Sequence, residues 1–81
     1  MELHLTTARA LKYEDRTGRD IFEVCQEIAQ TQLVKISTVV QLFSAMGDNY
    51  TPEVFDTWNV PFSEKVVAII EEINNFTQGK K

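Results

Sequence analysis

The sequence contains a single cysteine and a single histidine, the two side chains from which a thiol enzyme would be built. Catalysis by a thiol needs a base close to the sulfur, and His4 is the only imidazole available to Cys25. Cys25 lies at helical spacing from apolar residues and shares their face, so we expect its thiol to be buried and structural. One histidine and one cysteine also fall short of the roughly three or four protein ligands of a zinc site. These residues therefore predict neither a thiol enzyme nor a zinc site.

Acidic residues occur as adjacent pairs at Glu14-Asp15 and Glu71-Glu72. Adjacent side chains on a helix diverge by about 100°, which is typical of solvated faces and not of an acid and a base acting together. The three glycines are isolated, and none belongs to a phosphate-binding loop. We therefore predict a non-catalytic protein with no cofactor and no bound metal.

The first predicted helix carries a basic stripe. Arg9, Lys12 and Arg16 lie within roughly 60° of one another around the helix axis. Such a stripe is most often a solvated face, and the functional alternative is contact with an acidic protein surface, such as that of a neighbouring copy. Residues 1–19 hold four basic and three acidic side chains, whereas residues 20–81 hold four and nine. With a net charge of −4, this pattern favours a protein partner over nucleic acid, whose phosphates are bound by Lys and Arg.

Four aromatic residues within thirteen positions form the second candidate site. They flank one short predicted helix, and we expect most of them to close one end of the core. A helix this short can hardly bury all four, and surplus aromatic surface is typical of protein-binding sites. The candidate partner-binding residues are Tyr50, Phe55, Trp58 and Phe62.

A stretch from about residue 31 to residue 46, with no charged residue between Lys35 and Asp48, predicts the central helix that the other elements pack against. Its apolar residues cover an arc of roughly 180° on a helical wheel. Several of them are β-branched, which leaves a strand as the alternative, but strict alternation is absent. The apolar arc consists of Leu33, Ile36, Val39, Val40, Leu42, Phe43 and Met46.

Two shorter helices are predicted before the central one, after a short extended N-terminal segment. Thr6 or Thr7 is a suitable N-cap for the first, and Gly18 a suitable end. Asp20 with Glu23 resembles a capping box for the second, which either ends near residues 30–32 or continues into the central helix. The apolar face of the second helix consists of Ile21, Val24, Cys25 and Ile28.

Two further helices are predicted after the stop signal at residues 47–49. Thr51-Pro52 starts a short one, because Thr caps well and Pro is tolerated at the first helical position. Ser63 is the expected cap of the last, with Phe62 and Val67 placed as a hydrophobic staple. Its apolar arc of roughly 120° consists of Val66, Ile69, Ile70, Ile73 and Phe76.

These patterns predict an all-α fold, a compact bundle of about five helices in a single domain spanning residues 1–81, with residues 78–81 as a frayed tail. A lone cysteine suits a reducing cytoplasm, and no apolar run approaches the roughly 18 residues of a membrane span. We therefore predict a soluble cytoplasmic protein that binds neither membranes nor nucleic acid.

The order of these signals resembles the small tail assembly chaperones of long-tailed bacteriophages, particularly phages of Gram-positive bacteria. The likeness lies in ALKYEDRTGRDIFEV, in the central-helix segment KISTVVQLFSAMGDN, in the Thr51-Pro52-Glu53 helix start and in the final VVAIIEEINNF. The resemblance implies an all-helical cytoplasmic factor that binds and solubilises the tape-measure protein and helps tail tube subunits gather.

Within that hypothesis, we expect a homo-oligomer in which the basic front of one copy meets the acidic body of the next. The candidate self-association residues are Arg9, Lys12, Arg16, Glu71 and Glu72. Such a head-to-tail contact can grow into rings or spirals.

Two alternatives belong to other functional classes. A small acidic adaptor or inhibitor that binds a host protein has the same composition. A helix-turn-helix regulator would direct Arg9, Lys12, Arg16 and Arg19 toward phosphates, but its second helix, IFEVCQEI, begins with apolar and acidic residues.

Overall fold

The computed structural model describes residues 2–31 and 34–78, which form five helices and no strand. The predicted all-α fold is confirmed. Leu33, part of the predicted apolar arc, lies outside the described residues, as do Met1, Gln32 and residues 79–81 of the predicted tail. The helices are α1 (Thr7–Thr17), α2 (Ile21–Thr31), α3 (Ile36–Ser44), α4 (Pro52–Thr57) and α5 (Phe62–Gln78).

Local signals set both ends of α1. The Thr6 side chain accepts a hydrogen bond from the backbone N–H of Arg9 at 3.2 Å, which satisfies one of the unpaired donors of the first turn. Gly18 ends the helix with φ at 73°, a left-handed conformation that costs glycine little. Its N–H donates to the carbonyl of Glu14 at 2.7 Å. Both predicted boundaries of this helix are confirmed.

The second helix has the predicted apolar face, and all four of its residues are buried. The Asp20 carboxylate accepts from the backbone N–H of Phe22 at 2.7 Å. Glu23 does not complete the capping box: its carboxylate lies 3.7 Å from the guanidinium of Arg19. Residues 34 and 35 are not helical, so α2 and α3 are separate helices.

Val39, Leu42 and Phe43 of the predicted apolar arc are buried in α3, as expected. The buried part of α3 is shorter than the predicted arc. Ile36 is 69% exposed, although Phe43 lies almost directly below it two turns later and is fully buried. Ile36 is exposed because it lies in the first turn of the helix, although it is on the same face as the buried residues. The helix ends at Ser44, so Met46 contributes to the core from the following turn.

The central position predicted for α3 is shared with α5. Helix α3 packs mainly against α4 and α5, whereas α5 contacts both α2 and α3. At seventeen residues α5 is the longest helix, and Ile69 and Ile73 on its inner face are almost completely buried. The bundle is therefore organised around the α3 and α5 pair.

The N-terminal segment is part of the core, a role the sequence did not predict. Leu5 is only 1% exposed. The backbone N–H of His4 donates to the carbonyl of Met46 at 2.9 Å, and that of Leu5 donates to the Glu72 carboxylate at 2.9 Å. These two hydrogen bonds attach the segment to the end of α3 and to α5.

The last helix begins at Phe62, two residues earlier than the start at Glu64 that a Ser63 cap predicts. The carbonyl of Pro61 accepts from the backbone N–H groups of Glu64 and Lys65, so Ser63 lies inside the first turn and is not the cap. The predicted staple is also wrong, because Val67 is 55% exposed and the Phe62 ring packs edge-on against Phe55 with centroids 6.1 Å apart. The start of α4 is as predicted: the Thr51 hydroxyl accepts from Val54 N–H at 3.2 Å.

Gly47 allows Tyr50 to stack on the core. A Cβ atom at position 47 would lie 2.4 Å from the Tyr50 ring, which is closer than such contacts allow. We expect Gly47→Ala to lower the free energy of unfolding by about 1–3 kcal/mol, as overpacking does. Urea unfolding followed by circular dichroism measures the loss. In a Tyr50→Ala background the same substitution should cost much less, and an unchanged cost would contradict this explanation.

Candidate functional site

The predicted aromatic site is organised around Phe43. Its ring stacks on Tyr50 with centroids 4.6 Å apart, meets Phe55 edge-on at 5.1 Å and lies 5.9 Å from Trp58. Phe55 is buried, so its assignment to the partner-binding surface is wrong; it anchors α4 to the core. Tyr50 and Trp58 are half-buried, and Phe62 is the most exposed of the four predicted residues at 41%.

A buried lysine supports this aromatic cluster. Lys65 donates from Nζ to the carbonyl of Phe55 at 2.8 Å, and its ammonium lies 4.4 Å from the centroid of the Phe55 ring. The contact satisfies a carbonyl near the end of α4 and adds a cation–π interaction. Lys65 was not among the predicted site residues, although it precedes Ile69 and Ile73 by four and eight positions and therefore shares their face.

The basic stripe is on one side of α1, as predicted, and lines a cleft of about 190 Å³ beside the turn at residues 47–49. Arg9 is engaged within the chain: it donates to the carbonyls of His4 and Met46 and lies 3.5 Å from the Asp48 carboxylate. These contacts hold Arg9 to its own chain, and its role in self-association stays a prediction. Lys12 and Arg16 are exposed.

The two acidic residues of the α5 pair also differ in exposure and in contacts. Glu71 is exposed, whereas Glu72 is half-buried and accepts the hydrogen bond from Leu5 N–H. Glu72 therefore holds the N-terminal segment in place, and its role in self-association stays a prediction. Of the five residues predicted for self-association, Lys12, Arg16 and Glu71 remain on the surface.

An apolar groove that the sequence analysis missed crosses the opposite side of α1. We call it the Leu11 groove; its volume is about 270 Å³. Leu11 is 58% exposed, and Phe22 is 38% exposed while its ring stacks on Phe76 with centroids 6.0 Å apart. The available signal was Phe22, an aromatic residue adjacent to the predicted apolar face of α2 and outside it. The groove is lined by Thr7, Ala10, Leu11, Glu14, Asp20, Ile21, Phe22 and Phe76.

The cysteine thiol is buried, as predicted, and its burial raises the pKa of Cys25 because the thiolate loses hydration. We expect native Cys25 to react with a disulfide reagent at least about tenfold more slowly than the unfolded chain at the same pH, because the thiolate is the reactive form. Absorbance of the released thiol measures both rates. Equal rates in native and denatured protein would contradict the buried position.

In the described ranges, no cluster of three or more His, Cys, Asp or Glu residues is placed to bind a metal ion. Over the same ranges, each helix is too short or too polar to cross a bilayer. Comparison of the chain with protein-family models, with curated proteins and with solved structures finds no match.

Proposed function

We propose that this chain is a tail assembly chaperone of a long-tailed bacteriophage that infects Gram-positive bacteria. In this proposal it binds and solubilises the tape-measure protein in the host cytoplasm and assists tail tube assembly, with no catalytic step. The supporting observation is the large apolar side chains left on the surface of so small a domain. Those exposed among the described residues are Leu11, Phe22, Ile36, Phe62 and Val67.

Large apolar side chains on the surface are candidate contacts for a partner, because covering them removes apolar area from water. A tape-measure protein is a long helical chain whose apolar stripes aggregate when they are uncovered. A small folded protein with several apolar contacts can cover such stripes reversibly, and many copies can act along one chain. The proposal therefore gives a role to the exposed apolar residues and to the small size of the domain.

Self-association remains part of the proposal through the residues that are still on the surface. Lys12 and Arg16 lie on α1 and Glu71 on α5, so a head-to-tail contact between copies would pair opposite charges. Light scattering after size-exclusion chromatography over a range of concentrations tests this part. Growth of the molar mass with concentration supports it, and a monomer throughout would contradict it.

The surroundings of Arg19 make the helix-turn-helix alternative less suitable. Its guanidinium pairs with the carboxylates of Glu23 and Glu27 on α2, which reduces its availability to phosphates. Glu27 also raises the pKa of Arg19 by accepting its hydrogen bond. The first turn of α2 would present Phe22 and Glu23 to DNA, and both are unsuited to a negatively charged groove.

Co-expression tests the proposed function. The tape-measure protein encoded in the same genome is produced in bacteria alone, with this chain, and with an unrelated helical protein of similar charge. We expect soluble tape-measure protein that co-purifies only with this chain. No gain in solubility, or the absence of a tape-measure gene from that genome, would contradict the proposal. Co-purification of a host protein without any gain would favour the adaptor alternative.

A further inference from the structure

The Leu11 groove is formed by three helices that each contribute an apolar side chain. Leu11 comes from the outer face of α1, Phe22 from the first turn of α2 and Phe76 from the last turns of α5. The stacked rings of Phe22 and Phe76 form one wall, and Leu11 lies on the α1 side. Rigid aromatic walls around an open apolar depression are a frequent feature of sites that accept an aliphatic side chain from a partner.

The rim of the groove is acidic. Glu14 from α1 and Asp20 from the turn before α2 both line it, and both are exposed. Helix α1 therefore separates two clefts of opposite character, an apolar one with carboxylates on one side and the basic one that contains Lys12 and Arg16 on the other. The two clefts should therefore bind partners of opposite charge.

A second copy of the chain fits the Leu11 groove poorly. A symmetric contact would bring Glu14 and Asp20 of one copy close to the same carboxylates of the other. The basic side of α1 in another copy has the complementary charge, but Lys12 and Arg16 flank Tyr13, which is buried and cannot enter the groove. These two contacts between copies are therefore disfavoured, and a different molecule with cations beside an apolar stripe fits the groove better.

We infer that the Leu11 groove binds an amphipathic helix whose apolar stripe is bordered by lysine or arginine residues. The stripe would fill the depression beside Phe22, and the flanking cations would lie against Glu14 and Asp20. An open apolar depression between helices suits helix-in-groove binding, in which an amphipathic helix lays its apolar face into the groove. This inference rests on the proposed function, since it names the surface that would hold a tape-measure segment, but it can be tested without that protein.

The probe is a designed peptide of about 20 residues, labelled with a fluorophore, with leucines at i, i+3, i+4 and i+7 and lysines beside them. Its anisotropy is followed during titration with the full chain. A second peptide replaces the flanking lysines with glutamates, and a third keeps the composition of the first but scatters the leucines. We expect the first peptide to bind, and the other two to bind at least about tenfold more weakly.

Two substitutions locate the binding surface. Leu11→Ser should weaken binding of the first peptide by about tenfold or more, because its apolar contact is lost. Ala29→Ser is the control: Ala29 is exposed on α2, does not line the groove and is not one of the large exposed apolar residues. It should change binding by less than about twofold. Both positions are exposed, so circular dichroism should show a folded protein in each case.

Failure of the first peptide to bind would overturn the inference, and so would binding that Leu11→Ser leaves unchanged. Chemical shift changes centred on Leu11, Phe22 and Phe76 in a titration of labelled protein are expected independently of the variants. The two proposals can fail separately. If the peptide binds in the groove but the chain does not keep the tape-measure protein soluble, only the proposed function is overturned. If Leu11→Ser keeps the tape-measure protein as soluble as the wild-type chain does, only the assignment of the Leu11 groove as its binding surface is overturned.

Discussion

Replacement of Phe43 by alanine is expected to lower the free energy of unfolding by about 3–5 kcal/mol. The Phe43 side chain has no exposed surface and contacts the rings of Tyr50, Phe55 and Trp58, so its removal leaves a cavity and ends three aromatic contacts. A domain of this size has a total stability of only a few kcal/mol, so the variant should be largely unfolded. Urea titration followed by circular dichroism measures the change.

Phe62→Ala is the control for that experiment. It removes the same atoms from a ring that is partly exposed and has one ring contact, with Phe55. The expected loss is about 1 kcal/mol, and the variant should stay folded. Similar losses at both positions would contradict the assignment of Phe43 as the centre of the aromatic cluster.

The second large effect is expected at Leu5. Leu5→Ala should cost about 2–5 kcal/mol, because the side chain is almost fully buried and is held there by the hydrogen bonds of His4 and Leu5 to Met46 and Glu72. Leu11→Ala makes the same chemical change at an exposed site and should alter stability by less than about 0.5 kcal/mol. Thermal or urea unfolding of the two variants side by side provides the comparison.

A loss below about 0.5 kcal/mol for Leu5→Ala would show that the N-terminal segment does not pack against the bundle in solution. A second substitution gives an independent test. Glu72→Gln keeps a carbonyl oxygen that can accept from Leu5 N–H, so it should be milder than Glu72→Ala, which leaves that donor unpaired. Equal effects of the two Glu72 variants would contradict the role assigned to this hydrogen bond.

The helix boundaries that depend on neighbouring residues could be predicted from the sequence. Thr6 and Gly18 set the ends of α1, and Thr51-Pro52 starts α4, because caps act through backbone groups within a few positions. The start of α5 was misplaced by two residues, since Pro61 and Ser63 are both suitable residues at the beginning of a helix. The apolar arcs of α2 and α5 were also predictable, because a helix repeats its face every few residues.

Features that depend on tertiary contacts could not be predicted in this way. Leu5 follows no helical period, and its burial requires α3 and α5 to be in place. Ile36 lies on the same face as the buried residues of α3. Its exposure depends on whether neighbouring elements reach the first turn of that helix. Lys65 is buried because the carbonyl of Phe55 is within reach, a contact that spacing alone does not show.

The candidate site was predictable only in part. The clustering of aromatic residues in the sequence located the region around Phe43, but it did not distinguish the buried Phe55 from the exposed Phe62. The Leu11 groove depends on three helices meeting, so no single stretch of sequence contains it. Arg9 and Glu72 have the charges expected of contact residues, yet both are engaged within the chain.

The most direct test of the proposed function is the turbidity of a tape-measure segment diluted from denaturant into buffer. The segment is diluted alone, with an equimolar amount of this chain, or with an unrelated helical protein of similar charge. We expect this chain to keep the solution clear and to elute together with the segment from a sizing column. Turbidity that develops equally with this chain and with the unrelated protein would contradict it.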